Sequence, residues 1–335
     1  MSARLAPPRA LGHTSRMATA LDIAPKTKLA PFTHPGITAK GERRARVAFS
    51  GLRTLWFNTG SLCNIACANC YIASSPTADH FLYLSPDDMA PYLDEVDALS
   101  AAPVEIAFTG GEPCMNPHFL RLSEMALERG HELLVLTNAM RPMMRPKVQA
   151  GLIDLHARFP GKLTLRVSLD HFTAEGHDAE RGEGSFARGV EGMDWLTKHG
   201  FQTTIAGRAA FSESVEGARE GYRELISARG WRVDADDPAA LVLFPEMDGG
   251  LDTPEITESC WGILGLDPDT LMCASSRMVV RRKGSDRATV LACTLLWDDP
   301  QFELHDTLQG SLRPVPLNHS HCSKFCVLGG ASCSG

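Results

Sequence analysis

Three cysteines stand close together early in the chain, at spacings that suit a metal cluster. Cys63, Cys67 and Cys70 are separated by three and two residues, so one short loop can wrap around a cluster corner by corner. Three thiolates leave one iron of a [4Fe–4S] cubane without a protein ligand, as a substrate-binding cluster requires. The alternatives are a zinc site or buried free thiols, although zinc favours paired CxxC units.

A second motif, FTGGEP, ends a predicted strand at residues 108–113. Gly110 and Gly111 lack side chains, which would let the backbone approach a ligand closely. The carboxylate of Glu112, beside exposed carbonyls, suits a protonated amine. Taken alone, the motif is also compatible with an ordinary strand-ending turn.

From residue 53 onward, short apolar runs alternate with helix-like segments at the spacing of βα units. The predicted strands are Thr54–Asn58, Val104–Phe108, Leu133–Leu136, Leu163–Ser168, Gln202–Ala206 and Leu241–Phe244. The helices between them are predicted to start at Ser85, Asn116, Ser185 and Ser214. Six units in series predict an α/β fold whose parallel sheet is closed or nearly closed into a barrel. A doubly wound open sheet is the alternative.

The two motifs together resemble the radical SAM (S-adenosylmethionine) superfamily, in which CxxxCxxC precedes GGEP. Further along, Thr137-Asn138 and the stretches SLDH at 168–171 and HDAERGEGSF at 177–186 are similar to SLDG…HDxxRGxGSF. That pattern occurs in enzymes like the molybdenum-cofactor cyclase and the sulfatase maturases. The resemblance covers about residues 54–245 and implies a partial (β/α)6 TIM-like barrel over residues 50–250.

The resemblance also implies roles for individual residues. Cys63, Cys67 and Cys70 would bind three irons, and the methionine part of SAM would chelate the fourth. Its amino group would be held by Gly110, Gly111 and Glu112, and its ribose and carboxylate by Asn138, Ser168 and Asp170. Arg181 would either pair with the SAM carboxylate or brace the loop through Asp178. One departure is that Asn69, not an aromatic residue, precedes Cys70, which leaves the adenine contact open.

The implied activity is reductive cleavage of SAM to a 5′-deoxyadenosyl radical, which abstracts hydrogen from a small-molecule or peptide substrate. The electron would come from a reductant such as flavodoxin or ferredoxin. Two alternatives remain. SAM could be a donor in methyl, aminocarboxypropyl or thiol transfer, or the chain could be a non-catalytic iron–sulfur or zinc scaffold.

The C-terminal region, residues 251–335, carries six of the ten cysteines. A predicted hairpin, Met278–Val280 and Thr289–Ala292, is flanked by Cys273 and Cys293 and followed by further cysteines. The arrangement is similar to the twitch and SPASM extensions of radical SAM enzymes, which implies one auxiliary [4Fe–4S] cluster. Its predicted ligands are Cys273, Cys293, Cys322 and Cys326, with Cys333 and Cys260 in reserve. A structural zinc site with His319 or His321 is the alternative, and Cys114 is expected to be a plain small side chain.

Composition limits the remaining possibilities. Residues 1–49 are rich in Pro, Ala and basic residues and are predicted to be a flexible arm. The chain carries a net charge of −7, so no nucleic-acid partner is expected. No export signal or membrane-length apolar run is found, so disulfides are not expected and we predict a cytoplasmic protein with no membrane partner. The basic head also faintly resembles an organelle transit peptide.

Overall fold

The computed structural model describes residues 29–209, 214–245 and 253–330. The strands in these residues are β1 (Arg46–Val47), β2 (Thr54–Asn58), β3 (Glu105–Thr109), β4 (Glu132–Thr137), β5 (Leu163–Ser168), β6 (Gln202–Ala209), β7 (Leu241–Pro245), β8 (Ser276–Val280), β9 (Thr289–Leu291), β10 (Glu303–His305) and β11 (Val315–Pro316). The helices are α1 (Pro86–Leu99), α2 (Phe119–Glu128), α3 (Pro146–Arg158), α4 (Ala174–Arg181), α5 (Ser185–Lys198), α6 (Val215–Arg229), α7 (Cys260–Leu264) and α8 (Met272–Ser275), and a π-helical segment spans Cys322–Leu328. No helix in these residues combines the length and apolar character needed to cross a membrane.

Nine strands form one sheet in the order β10-β9-β8-β2-β3-β4-β5-β6-β7. The strands from β2 to β7 are parallel, and each pairs with the next one in the chain. This sequential order has no reversal point, which distinguishes it from a doubly wound sheet. Within the described residues no pairing closes the sheet. The prediction of a partial (β/α)6 barrel is confirmed, and the doubly wound alternative is wrong.

Local sequence signals explain where the helices start. Ser85 caps α1 in a capping box, because its hydroxyl accepts a hydrogen bond from the Asp88 N–H (3.2 Å) and the Asp88 carboxylate accepts one from the Ser85 N–H (3.0 Å). In contrast, α2 begins at Phe119, not at Asn116 as predicted. The Asn116 amide is used elsewhere and donates to the Leu84 carbonyl at 2.9 Å.

The predicted C-terminal hairpin is present, since β8 and β9 pair in antiparallel register. However, β8 also pairs in parallel with β2. The C-terminal region therefore continues the barrel sheet and does not form a sheet of its own. Its three strands β8, β9 and β10 extend the sheet beyond β2, on the side opposite to β3.

The two faces of the sheet are covered by different parts of the chain. On β2, Leu55 and Phe57 pack in the core formed with the surrounding helices. Trp56, between them, points to the other face, as strand geometry requires. It belongs to a second core that includes Phe325 and Cys322 from the C-terminal region. The inner face of the partial barrel is thus covered in large part by residues of the C-terminal region.

The flexible arm predicted over residues 1–49 is wrong in its described part. Ala45 and Val47 are fully buried, and β1 pairs with β11. The buried guanidinium of Arg44 forms an ion pair with Glu255. Burial of apolar side chains and a partnered charge stabilises this segment against the C-terminal region. Residues 1–28 lie outside the described residues.

Candidate functional site

The cysteine loop follows β2, at the carboxyl ends of the parallel strands. Cys63, Cys67 and Cys70 all line one cavity of about 600 Å³. Several residues predicted from the motifs line the same cavity, namely Gly110, Gly111, Asn138, Ser168 and Arg181. The strand ends of a parallel barrel converge on one face, which explains why motifs far apart in sequence meet here.

The backbone of the cysteine loop is fixed at several points. The Cys63 N–H donates to the Ser75 carbonyl at 3.0 Å, and the Ala68 N–H donates to the Glu180 carbonyl in α4 at 2.8 Å. The loop ends in a tight turn at Ala73, whose φ is 50°. The three thiols are therefore presented by a loop tied to its own return and to a neighbouring helix.

The arrangement of the three thiols does not favour a single metal ion. Within the described residues, no three His, Cys, Asp or Glu side chains converge on a point where one ion would sit. A cubane does not require this, because each thiolate binds a different iron at a different corner. Burial raises the pKa of the Cys63 thiol to about 12 and also raises that of Cys67. Binding of iron would therefore have to displace protons from these thiols.

The glycines of the GGEP motif also pack against the backbone of the cysteine loop. A Cβ on Gly110 would lie 2.6 Å from the Gly60 carbonyl oxygen, and one on Gly111 only 2.1 Å from that of Leu62. The Gly111 N–H donates to the Gly60 carbonyl at 2.8 Å. The missing side chains thus let the end of β3 pack directly on the backbone that leads into the cysteines. Both glycines also line the cavity.

Glu112 lies behind the cavity wall and is not among the residues that line it. Its carboxylate accepts hydrogen bonds from the Cys114 N–H (3.1 Å), the Thr137 hydroxyl (2.9 Å) and the Asn138 N–H (2.8 Å). Burial raises the pKa of this carboxyl, although these hydrogen bonds oppose the shift. The geometry indicates a brace between two strand ends. Direct contact with an amino group remains a prediction.

Asn138 holds the other side of the same wall. Its side-chain amide donates to Asn64 Oδ1 at 2.9 Å and lies 3.9 Å from Cys63 Sγ. Its own Oδ1 accepts a hydrogen bond from the Met140 N–H at 3.0 Å. Asn138, which is predicted to contact SAM, is therefore also hydrogen-bonded to the cysteine loop.

Arg181 pairs with Asp170, another residue predicted to bind SAM. Its Nε lies 2.8 Å from one carboxylate oxygen and Nη2 lies 3.0 Å from the other. Burial opposes ionisation of Asp170, but the adjacent guanidinium outweighs it and the pKa of Asp170 is lowered. Asp178 instead caps α5, accepting from the Gly184 and Phe186 N–H groups. The predicted brace between Arg181 and Asp178 is therefore not what the structure shows.

Arg208, at the end of β6, was missed by the sequence analysis. Its Nη2 donates to the Asn69 carbonyl at 2.9 Å, and its guanidinium lies 3.7 Å from the carboxylates of both Asp170 and Glu180. Its positive charge and that of Arg181 act against the burial that raises the pKa of Cys67. An arginine at a strand end, next to a predicted anionic site, is the signal that could have identified it.

A second cavity, with about 620 Å³ of open space, adjoins the first. The two share several lining residues, which are Tyr71, Leu136, Ser168, Arg181 and Arg208. The remaining wall is mostly apolar and is formed by Phe244, Pro245, Leu295, Phe325, Ala206 and Asp170. Phe244 and Phe325 stack with their ring centroids 5.5 Å apart. Leu295 and Phe325 come from the C-terminal region, so that region completes the wall.

The C-terminal cysteines gather against the second core. Cys322 is buried in it, and Cys273, Cys293 and Cys326 pack against it. Burial raises the pKa of Cys322, and the nearby thiols of Cys293 and Cys273 raise it further. All four predicted ligands thus belong to or pack against one core, and Cys326 lies on the same π-helical segment as Cys322.

The remaining cysteines are placed differently. Cys260 accepts a hydrogen bond from the Thr257 N–H at 3.4 Å, and Cys114 is fully buried beside Glu112. Cys333 lies outside the described residues. For a zinc ion bound with His319 or His321, ligands would have to meet at one point, and no such group of three forms in the described residues.

Comparison with known proteins identifies the barrel. Residues 57–211 match the family model described as Radical SAM superfamily. This stretch of the barrel therefore matches the radical SAM superfamily, in agreement with the family resemblance predicted from the motifs. A curated relative, the mycofactocin maturase MftC of Mycobacterium ulcerans, is 34% identical over 139 residues, which is 42% of this chain and 35% of that protein. The chain thus spans about a third of this relative's length.

Solved structures agree on the fold. SuiB of Streptococcus suis, bound to its precursor peptide SuiA, superposes with a TM-score of 0.53 at 14% identity, covering 78% of this chain and 65% of that one. Native anSMEcpe with bound AdoMet and Cp18Cys peptide gives a TM-score of 0.53 at 14% identity, with coverage of 77% and 79%. At this level of identity the likeness establishes the fold alone.

Proposed function

We propose that this protein is a radical SAM enzyme that modifies a peptide by hydrogen abstraction. The observation that carries the proposal is the convergence of Cys63, Cys67 and Cys70 on one cavity at the catalytic face of the barrel. When bound there, a [4Fe–4S] cluster supplies the electron that breaks a C–S bond of SAM, giving a 5′-deoxyadenosyl radical that removes hydrogen from the substrate. Flavodoxin or ferredoxin would deliver that electron.

The residues around the cavity have separate tasks in this proposal. The three cysteines bind three irons and leave the fourth for the methionine part of SAM. Gly110, Gly111, Asn138 and Ser168 form the adjacent wall and would contact SAM. Arg181 and Arg208 offset the negative charge of the thiolates, and the pairing of Arg181 with Asp170 keeps its guanidinium in place.

The adjoining cavity supports a peptide as substrate. Its wall offers the apolar rings of Phe244 and Phe325 and the guanidinium of Arg208, a combination that suits an apolar side chain beside a carbonyl or carboxylate. SuiB and anSMEcpe have been solved with peptides bound, which supports the same substrate class here. A peptide that fills this space would displace water and so protect the radical from side reactions.

We also propose a second [4Fe–4S] cluster held by Cys273, Cys293, Cys322 and Cys326, with Cys333 in reserve. The location of all four cysteines at the second core supports it. Substrate oxidation releases an electron, and a nearby cluster could accept it. Cysteines used as cluster ligands are typical of a reducing compartment, so we further propose that the protein works in the cytoplasm.

Substitution of Cys67 tests the central proposal. Anaerobically reconstituted Cys67→Ala, reduced with dithionite, should form no 5′-deoxyadenosine, whereas Cys114→Ala should behave like the wild type because Cys114 is buried away from the cavity. Undiminished 5′-deoxyadenosine from Cys67→Ala would refute the assignment. A product heavier by a transferred group would instead indicate group transfer.

Iron analysis tests the second cluster. Reconstituted wild type should hold about eight irons, and the triple variant of Cys63, Cys67 and Cys70 to Ala should retain about four, counting four per cubane. If zinc is found in the C-terminal region, or if the triple variant holds no iron, the protein has one cluster only.

A further inference from the structure

Arg277 lies in β8 with none of its surface exposed. Its guanidinium donates only to backbone carbonyls: those of Cys273 and Ser276 (both 2.7 Å), and those of Ser311 and Arg313 (both 3.1 Å). The carbon atom of the guanidinium lies 4.6 Å from the centroid of the Phe49 ring. The hydrogen-bonding needs of the group are thus met by neutral partners.

No carboxylate within the described residues forms an ion pair with Arg277. This distinguishes it from the equally buried Arg44, whose partner is Glu255. A buried charge without a partner of opposite sign costs far more than its hydrogen bonds return. One of the carbonyls that it contacts belongs to Arg313, whose own side chain is also positive. Within the described residues, Arg277 therefore has no carboxylate partner.

Within the described residues, cysteines are the groups beside Arg277 that could become anionic. The guanidinium donates to the Cys273 carbonyl at 2.7 Å. The pairing of Met278 in β8 with Leu291 in β9 places Cys293, just after β9, at the same end of the hairpin. Both cysteines pack against the second core, in which Cys322 is buried. Arg277 thus stands beside the thiols that would carry negative charge once they bind iron.

We propose that Arg277 is the buried counter-charge of the second iron–sulfur cluster and sets its reduction potential. The inference rests on the second cluster proposed above. Four thiolates around a [4Fe–4S]²⁺ core leave a net negative charge, and one-electron reduction adds another. A fixed positive charge in a low-dielectric setting stabilises the more negative, reduced form. Arg277 therefore makes the cluster a better electron acceptor.

The experiment uses the full chain with Cys63, Cys67 and Cys70 changed to Ala, so that only the second cluster is present. In this background, Arg277→Gln removes the charge but keeps a hydrogen-bonding amide, and Arg277→Lys keeps the charge but loses the planar fork. Iron content is measured by iron analysis. The midpoint potential is measured by a dithionite titration followed by electron paramagnetic resonance. Arg166→Gln serves as a control, since Arg166 is also buried but acts on Glu105 of the barrel.

Arg277→Gln should bind the same iron as its background but lower the reduction equilibrium constant at least tenfold, a shift of 59 mV to more negative potential for one electron. Arg277→Lys and Arg166→Gln should stay near the background value. Equal shifts in Arg277→Gln and Arg277→Lys, or none in either, would show that Arg277 only holds backbone carbonyls together. If Arg277→Gln fails to fold, Arg277→Met takes its place as the neutral variant, since replacement of a buried charge by an apolar side chain is often tolerated. A shift of 59 mV to more negative potential in Arg277→Met but not in Arg277→Lys supports the proposal, and equal potentials in the two variants overturn it. A background protein without any cluster would overturn this inference together with the second cluster itself.

Discussion

The Glu112 carboxylate accepts a hydrogen bond from the backbone N–H of Asn138 at 2.8 Å, which ties the turn after β3 to the end of β4. Because Asn138 in turn reaches Asn64 of the cysteine loop at 2.9 Å, a single carboxylate links three parts of the cavity wall. This relationship makes Glu112 a structural element of the site, whatever else it contacts.

Glu112→Gln should therefore lower stability. One acceptor oxygen becomes a donor that faces another N–H or O–H donor, which leaves buried groups unpaired and costs about 1–3 kcal/mol. Chemical denaturation of the protein measures the change. Glu132→Gln is the control, because that side chain is exposed and pairs only with Lys162. An unchanged unfolding free energy with SAM affinity reduced tenfold or more would favour direct binding of the amino group.

Gly111→Ala should disrupt the cysteine loop. A Cβ at 2.1 Å from the Leu62 carbonyl oxygen cannot be accommodated without moving the backbone that leads to Cys63. Reconstituted protein should lose about four irons, the content of one cubane. Gly262→Ala is a suitable comparison, since a Cβ there meets no atom within 4 Å. Full iron content in Gly111→Ala would mean that the loop can shift and still bind the cluster.

Asp170→Asn should cost about 3–5 kcal/mol at neutral pH, because it leaves the buried Arg181 without its acidic partner. The pKa of Asp170 is lowered in the folded state, so its stabilisation is complete above the unfolded value of about 3.9. It is lost as the pH falls through the folded pKa. Urea unfolding should thus show a difference between variant and wild type that shrinks below about pH 4.

The contrast for this prediction is Asp154→Asn. That residue forms an exposed ion pair with Arg158, and its loss should change the free energy of unfolding far less, because solvent screens exposed pairs. A difference between Asp170→Asn and wild type that persists undiminished in acid would show that the charge of Asp170 is not what stabilises this pair.

Phe244→Asp should separate SAM cleavage from substrate modification. Phe244 lines only the second cavity, and a carboxylate there makes the apolar wall unfavourable for an apolar side chain. The variant should still form 5′-deoxyadenosine from SAM alone but should yield at least tenfold less modified peptide by mass spectrometry. Ile153→Asp, on the exposed side of α3, should leave both readouts unchanged. Normal peptide modification would show that the substrate binds elsewhere.

Much of the barrel was predictable because its strands are continuous apolar runs. A strand buried on both faces, such as β2, leaves a signal that needs no knowledge of its neighbours. The cysteine loop was equally predictable, since its three cysteines lie within eight residues of one another in the sequence. The packing of the arm was not, because Ala45 and Val47 are buried by partners such as β11, far away along the chain.

The roles of individual polar residues were harder to predict for the same reason. Glu112 and Arg181 were expected to bind a ligand, yet both have partners within the protein, Asn138 and Asp170 respectively. Whether a carboxylate faces a cavity or a backbone depends on the final tertiary contacts. Arg208 escaped prediction because no motif includes it, although β6 brings it to the cavity.

The parallel pairing of β2 with β8 has a consequence for synthesis of the chain. As the polypeptide leaves the ribosome, β2 can pair with β3 early, but its other edge stays open until β8 emerges some two hundred residues later. An unpaired edge is a template for aggregation. The inner face around Trp56 likewise has no cover until Phe325 is translated. The iron–sulfur cluster that we propose for the loop after β2 should therefore be loaded best once β8 and Phe325 have been translated.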